Sequence, residues 1–180
     1  MRHRLFTLGF CALAGCASGQ HYDETTPKQV AIFSAPETGT ILGERPRAVT
    51  ATVAAAPAAV WLAVKKVYLE LEVPVTVENP SARQIGNQNF YKSRTFAGKT
   101  MTDFVDCGSG MTGPKASTYR IYMSLLTDVI PDGQGGTRVQ TTFVPMGQDM
   151  MGNSTDRITC GSTGRLEALF LERVKAAALR

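Results

Sequence analysis

Cysteines, carboxylates and a near absence of histidine bound the chemistry open to this 180-residue chain. Cys107 begins the run Cys107-Gly108-Ser109-Gly110, and Cys160 begins Cys160-Gly161-Ser162-Thr163-Gly164. Two such thiols can join in a disulfide, supply half of a zinc site, or stay free. No histidine lies near either, so a zinc site would lack half its ligands. The glycine-rich runs carry no lysine to meet phosphates, which sets them apart from a P-loop. Glycine permits tight turns there, and Ser162 or Thr163 can cap a helix. Asp103 and Asp106 could work as acid and base, but at i and i+3 on a strand they point to opposite faces. Gly147 to Asp156 is rich in oxygen ligands without the spacing of a calcium loop. Met146, Met150 and Met151, on or beside that loop, could form an adaptable contact surface. His3 and His21 are the only histidines, both near the N-terminus, where no rigid pocket is expected. Hydrolysis of the Ser-His or Cys-His kind needs such a pocket and an orienting partner. The expectation is a non-enzymatic protein with no catalytic residue, no metal and no cofactor.

The N-terminus reads as an address. Arg2 and Arg4 precede the apolar run Leu5 to Leu13, and small residues follow, in the order of a secretory signal. The run is far shorter than the roughly 20 residues that span a bilayer. Its ending, Leu13-Ala14-Gly15-Cys16, resembles the lipobox of bacterial lipoproteins. The resemblance implies cleavage after Gly15 and acyl chains on Cys16 that hold the protein to the membrane. Ala17 stands where an inner-membrane retention signal often has Asp, so the analogy favours the periplasmic side of the outer membrane. Export puts Cys107 and Cys160 in an oxidising compartment, where a disulfide is the expected state. Closing so long a loop stabilises by about 4 kcal/mol on the chain-entropy argument. Removing Arg2 and Arg4 lowers the formal net charge from +4 to +2. No dense Lys/Arg cluster remains, so a nucleic-acid partner is not expected.

The elements that must position these residues divide the chain in three. Residues 1–15 are the signal peptide. Residues 16–46 are a lipidated tether with Pro27, Pro36 and Pro46, in which Gln29 to Phe33 is the one apolar knot. Residues 47–180 are a single domain. Arg47 to Ala55 reads as a strand, and Pro57 opens a helix. Val60, Ala63, Val64, Val67, Tyr68 and Leu71 form its apolar face, with Trp61 packing at the core edge and Pro74 ending it. Strands are expected at Val73–Val77, at Arg83–Asn87 and Phe90–Ser93 with a break between, and at Thr100–Cys107. The clearest signal is a hairpin: Tyr119–Ile130 alternates apolar and polar residues, Pro131 to Gly136 turns, and Thr137–Val144 returns. Pro145 to Asp156 reads as loop and Arg157 to Cys160 as a short strand. A final helix from Ser162 places Leu166, Leu169, Phe170, Val174 and Ala177 inward, and Glu167, Glu172, Lys175 and Arg180 outward.

These patterns predict an α+β fold, a curved antiparallel sheet packed on two helices in the order β-α-β(4-5)-α. The order is similar to the helix-grip architecture and resembles the domains of the BamC lipoproteins of the outer-membrane β-barrel assembly machinery. The likeness covers residues 47–180 by pattern alone, and no site residue carries over. BamC has two such domains, and this chain has room for one. The expected function is a lipid-anchored envelope domain that binds a partner protein or a peptidoglycan-side component. The alternative is a small-molecule or lipid site between sheet and C-terminal helix. That would need a cavity above ~300 Å³ lined by Tyr122, Phe143, Leu169 and Phe170, and a filled core counts against it.

Overall fold

The computed structural model describes residues 48–152 and 155–180. The signal, Cys16, His21 and the tether at 16–46 lie outside the described residues. The domain is α+β, as the patterns imply. Strand β1 (Val49–Val53) leads to helix α1 (Pro57–Glu70), then β2 (Val77–Asn79) and β3 (Gln84–Ser93). A short helix α2 (Met101–Phe104) precedes the long hairpin of β4 (Arg120–Pro131) and β5 (Thr137–Gln148). Strand β6 (Arg157–Thr159) and helix α3 (Arg165–Ala178) complete the order. The antiparallel sheet runs β1-β5-β4-β3-β2, and β6 adds to β5 beyond the end of β1.

Alternation along the hairpin sends Ile121, Met123, Leu125, Thr127 and Val129 of β4 into the core. Thr137, Val139, Thr141 and Phe143 of β5 join them. α1 contributes Val60, Ala63, Val64, Val67, Tyr68 and Leu71, the face its periodicity predicts. α3 contributes Leu166, Phe170, Leu171 and Val174, and Tyr68 meets Phe170 edge-on at 5.0 Å between ring centroids. Trp61 is half-buried against this core.

Threonines at core-facing positions demand partners, and Tyr68 supplies one. Its hydroxyl donates to the Leu125 carbonyl at 3.0 Å and lies 3.1 Å from Thr127 Oγ1, which lies 3.3 Å from Thr141 Oγ1. Burial pushes the Tyr68 phenol far above the ordinary tyrosine range. The hydroxyl fits because β3 carries Gly86 opposite Leu126. Gly86 has φ +156, and an added Cβ would meet the Leu125 carbonyl and come within 2.9 Å of the Tyr68 hydroxyl.

Several elements differ from the sequence expectation. Residues 100–107 are not one strand. Thr100-Met101-Thr102-Asp103 is a capping box: the Asp103 carboxylate accepts from the Thr100 amide at 3.1 Å and its hydroxyl at 2.7 Å. Before it, Lys99–Thr100 pairs with Thr95–Phe96, and after it Val105–Asp106 pairs with Gly161–Ser162. Val73–Val77 does not begin as a strand, because the Val73 amide caps α1 on the Tyr68 carbonyl and Pro74 has no N–H to give. The two segments at 83–93 are one strand with a bulge between Asn87 and Phe90, held where Asn87 Nδ2 donates to the Pro74 carbonyl at 2.6 Å. The return strand β5 runs past Val144 to Gln148, with Pro145 accepting from the Cys160 amide at 3.3 Å.

Tyr68→Phe is expected to cost about 1–2 kcal/mol by leaving Leu125 and Thr127 short of a partner. Gly86→Ala is expected to cost roughly 3 kcal/mol by clash and backbone strain. Urea unfolding midpoints measure both, and a change under ~0.5 kcal/mol for Gly86→Ala would contradict the close approach.

Candidate docking surface

Cys107 and Cys160 form a disulfide, and both are buried. It packs on β5 at Gly147, where an added Cβ would sit 3.1 Å from Cys160 Sγ and 3.3 Å from Cys107 Sγ. The two aspartates weighed as an acid–base pair have structural partners. The Thr100 hydroxyl first, then its amide, Lys99 and Arg165, hold Asp103 below the usual carboxylate range. Asp106 Oδ1 accepts from the Gly108 amide at 2.8 Å. In the loop after β5, Asp149 Oδ1 accepts from the Met151 amide at 2.9 Å, while Asn153 and Ser154 lie outside the described residues. Among the described residues no three His, Cys, Asp or Glu side chains gather as a metal centre. No helix among them is long and apolar enough to cross a membrane.

The space between sheet and helices is filled. Tyr68, Phe143, Phe170 and Leu166 are fully buried in it, and Tyr122 lies on the opposite face of the sheet. Two clefts lie at the surface. One, of about 470 Å³, runs along Trp61, Leu62, Pro80 and Val129, and another, of about 450 Å³, lies between Glu70, Lys92, Phe96 and Arg173.

The outer face of the sheet is buried at its centre, at Ser124, Leu126 and Thr142. It is accessible at the end where β3 finishes and β6 joins. Register places Ser93, Arg120, Gln148 and Arg157 in one row across β3, β4, β5 and β6. Tyr91, Tyr122, Met146 and Thr159 form the next. Strands ~4.8 Å apart bring these side chains into mutual reach. The Tyr91 and Tyr122 rings lie 5.8 Å apart between centroids. The Arg120 guanidinium sits 5.0 Å from the Tyr91 centroid, and that of Arg157 sits 3.6 Å from the Tyr122 centroid. Cation–π attraction holds both long side chains over the rings. Beside them Tyr91 is 57 % exposed, Met150 51 % and Met151 91 %. Ser93 Oγ, 3.9 Å from Met150 Sδ, ties the methionine loop to this end of the sheet.

The charges tune the phenol. Arg120 within hydrogen-bonding reach of Tyr122, and then the positive charges of Arg120 and Arg157, draw its pKa below the ordinary tyrosine value. Sequence reading singled out Met146, Met150 and Met151 but missed Tyr91, Arg120 and Arg157. The signal for Arg120 and Tyr122 was their shared parity on β4, opposite to Ile121 and Met123.

One buried acid lies elsewhere. Glu167, expected outward, is only 1 % exposed. Its Oε1 accepts from Ser162 Oγ at 2.7 Å, and its Oε2 has no partner. Desolvation raises its pKa, with the Ser162 hydrogen bond opposing.

No protein-family model matches this sequence, and no curated protein matches it either.

Two titrations follow. Tyr122 is expected to ionise below the ordinary tyrosine value, and Arg120→Gln with Arg157→Gln to return it toward that value. Ultraviolet or NMR titration reads this, and an unmoved Tyr122 pKa would contradict the contact. Glu167 keeps its proton in the fold above the pH at which the unfolded chain loses it. Stability from this group is therefore present in acid and lost as pH rises through the raised pKa. Glu167→Gln should stabilise more at pH 7 than at pH 4 in denaturant melts, and an equal effect at both would show that burial does not shift this carboxyl.

Proposed function

We propose that this chain is a non-enzymatic, lipid-anchored envelope lipoprotein. Cys16 holds it to the periplasmic side of the outer membrane, and the domain binds a partner protein through the accessible end of its outer sheet face. The observation that carries the reading is the cluster of Tyr91, Tyr122, Arg120 and Arg157 beside Met150 and Met151. Tyrosine, arginine and methionine are the side chains enriched where proteins meet, and a few stacked anchors supply most of the affinity. Here both arginines are already stacked, so less rotamer freedom is lost on docking. The filled space between sheet and helices supports this reading over a small-molecule site there, since Tyr68, Phe143 and Phe170 occupy it.

The test is recovery of the full chain from detergent-solubilised envelopes, with lipid extraction and mass spectrometry on the same sample. The unaltered chain should bring down one protein in stoichiometric amount. Tyr91→Ala with Tyr122→Ala should lower its yield about tenfold or more, as loss of central anchors does. Cys16→Ala should lose membrane association while keeping the disulfide. A co-purifying small molecule with no protein partner would contradict the proposal.

A further inference from the structure

We infer that Arg120 and Arg157 receive a carboxylate, carried by an acidic segment of the partner protein. The inference rests on the partner-binding reading and names the chemistry of that partner. The two arginines start in one row, two strands apart, and lean the same way across the sheet. Arg120 reaches from β4 over Tyr91 on β3, and Arg157 reaches from β6, past β5, over Tyr122 on β4. Both guanidinium groups therefore come to rest above one pair of rings. A guanidinium stacked on a ring keeps its in-plane N–H groups for a third party, and their fork matches a carboxylate.

Among the described residues the Tyr122 hydroxyl lies within hydrogen-bonding reach of both groups, but no carboxylate takes that place. The salt bridges among the described residues are Lys65–Glu78, Lys92–Glu72 and Arg165–Asp103, and neither Arg120 nor Arg157 takes part. Arg120 Nε is buried and meets no acceptor. A buried donor without a partner is costly, and an incoming carboxylate would relieve it. In the adjacent loop, the Asp149 carboxylate accepts from the Met151 amide. Tyr91, Met150 and Met151 form an exposed apolar rim beside the charges. The segment that fits pairs acidic with apolar residues. An anionic membrane offers the same charge, but electrostatic capture by lipid uses clusters of about four to eight basic residues, and the two outward rows here hold Arg120 and Arg157 alone.

The full chain carrying Cys16→Ala, labelled with nitrogen-15, is titrated with the capped peptide Leu-Glu-Leu-Glu-Leu. A second titration uses its Leu-Lys-Leu-Lys-Leu counterpart, and a third uses phosphatidylglycerol vesicles. The glutamate peptide should move the Arg120 and Arg157 Nε–Hε resonances. Its affinity should fall about tenfold in Arg157→Gln, an exposed position whose exchange leaves the fold intact. The lysine peptide should not bind there. Equal binding of both peptides, or Arg resonances unmoved by the glutamate peptide, would overturn the inference. Movement by vesicles alone would overturn it too, in favour of a membrane occupant. If Tyr91→Ala with Tyr122→Ala loses the envelope partner while the glutamate peptide moves neither arginine, docking stands and the acidic chemistry falls.

Discussion

The hydroxyl of Tyr68 is the contact on which the architecture depends. It enters the sheet from α1 and ties Leu125 to Thr127, and through it Thr141, where the hairpin strands would otherwise bury unpaired polar groups. Gly86 leaves the room for it. The same ring meets Phe170, so one residue joins both long helices to the sheet. A face closed this tightly has no space for a guest, and it is rigid enough to hold what lies on the other side in fixed register.

That other side draws its order from the same alternation. Each residue turned inward on β4 commits its neighbour outward, so burying Ile121 and Met123 presents Arg120 and Tyr122. The outward row is assembled from four strands whose residues lie far apart in the chain. The disulfide between Cys107 and Cys160 sits against Gly147 on β5, close to where β6 joins. It fixes the strand that delivers Arg157. The anchor at Cys16, the tether and the docking end then form one proposed device: a domain held at a membrane, with its accessible surface pointed by its own strand register.

Much of the fold was legible because periodicity reports burial. α1 shows its apolar stripe intact from Val60 to Leu71, and the hairpin shows its alternation over both arms. Errors arose where local hydrogen bonds outweighed pattern. Thr100 and Asp103 cap a helical turn in a stretch whose alternation suggested a strand, although the Thr-x-x-Asp spacing was in view. Val73 spends its amide on capping α1 and so cannot pair as a strand. Glu167 looked solvent-facing by charge, but it is buried with its Oε1 on the Ser162 hydroxyl, a placement only tertiary structure could reveal. The docking surface was the least legible part. The methionines drew attention as an exposed group, whereas Tyr91, Arg120 and Arg157 become neighbours only once register across β3, β4, β5 and β6 is known.

The central claim is that the domain meets its partner at this end of the outer sheet face. The most direct measurement is photocrosslinking in intact cells, with benzoylphenylalanine replacing Tyr91 in one strain and Leu69 in another. Leu69 is 79 % exposed on α1, across the sheet from the cluster, and serves as the control. The account predicts a discrete protein adduct from position 91 and none from position 69. An adduct from position 69 with none from position 91 would contradict it and move the docking surface to the helices.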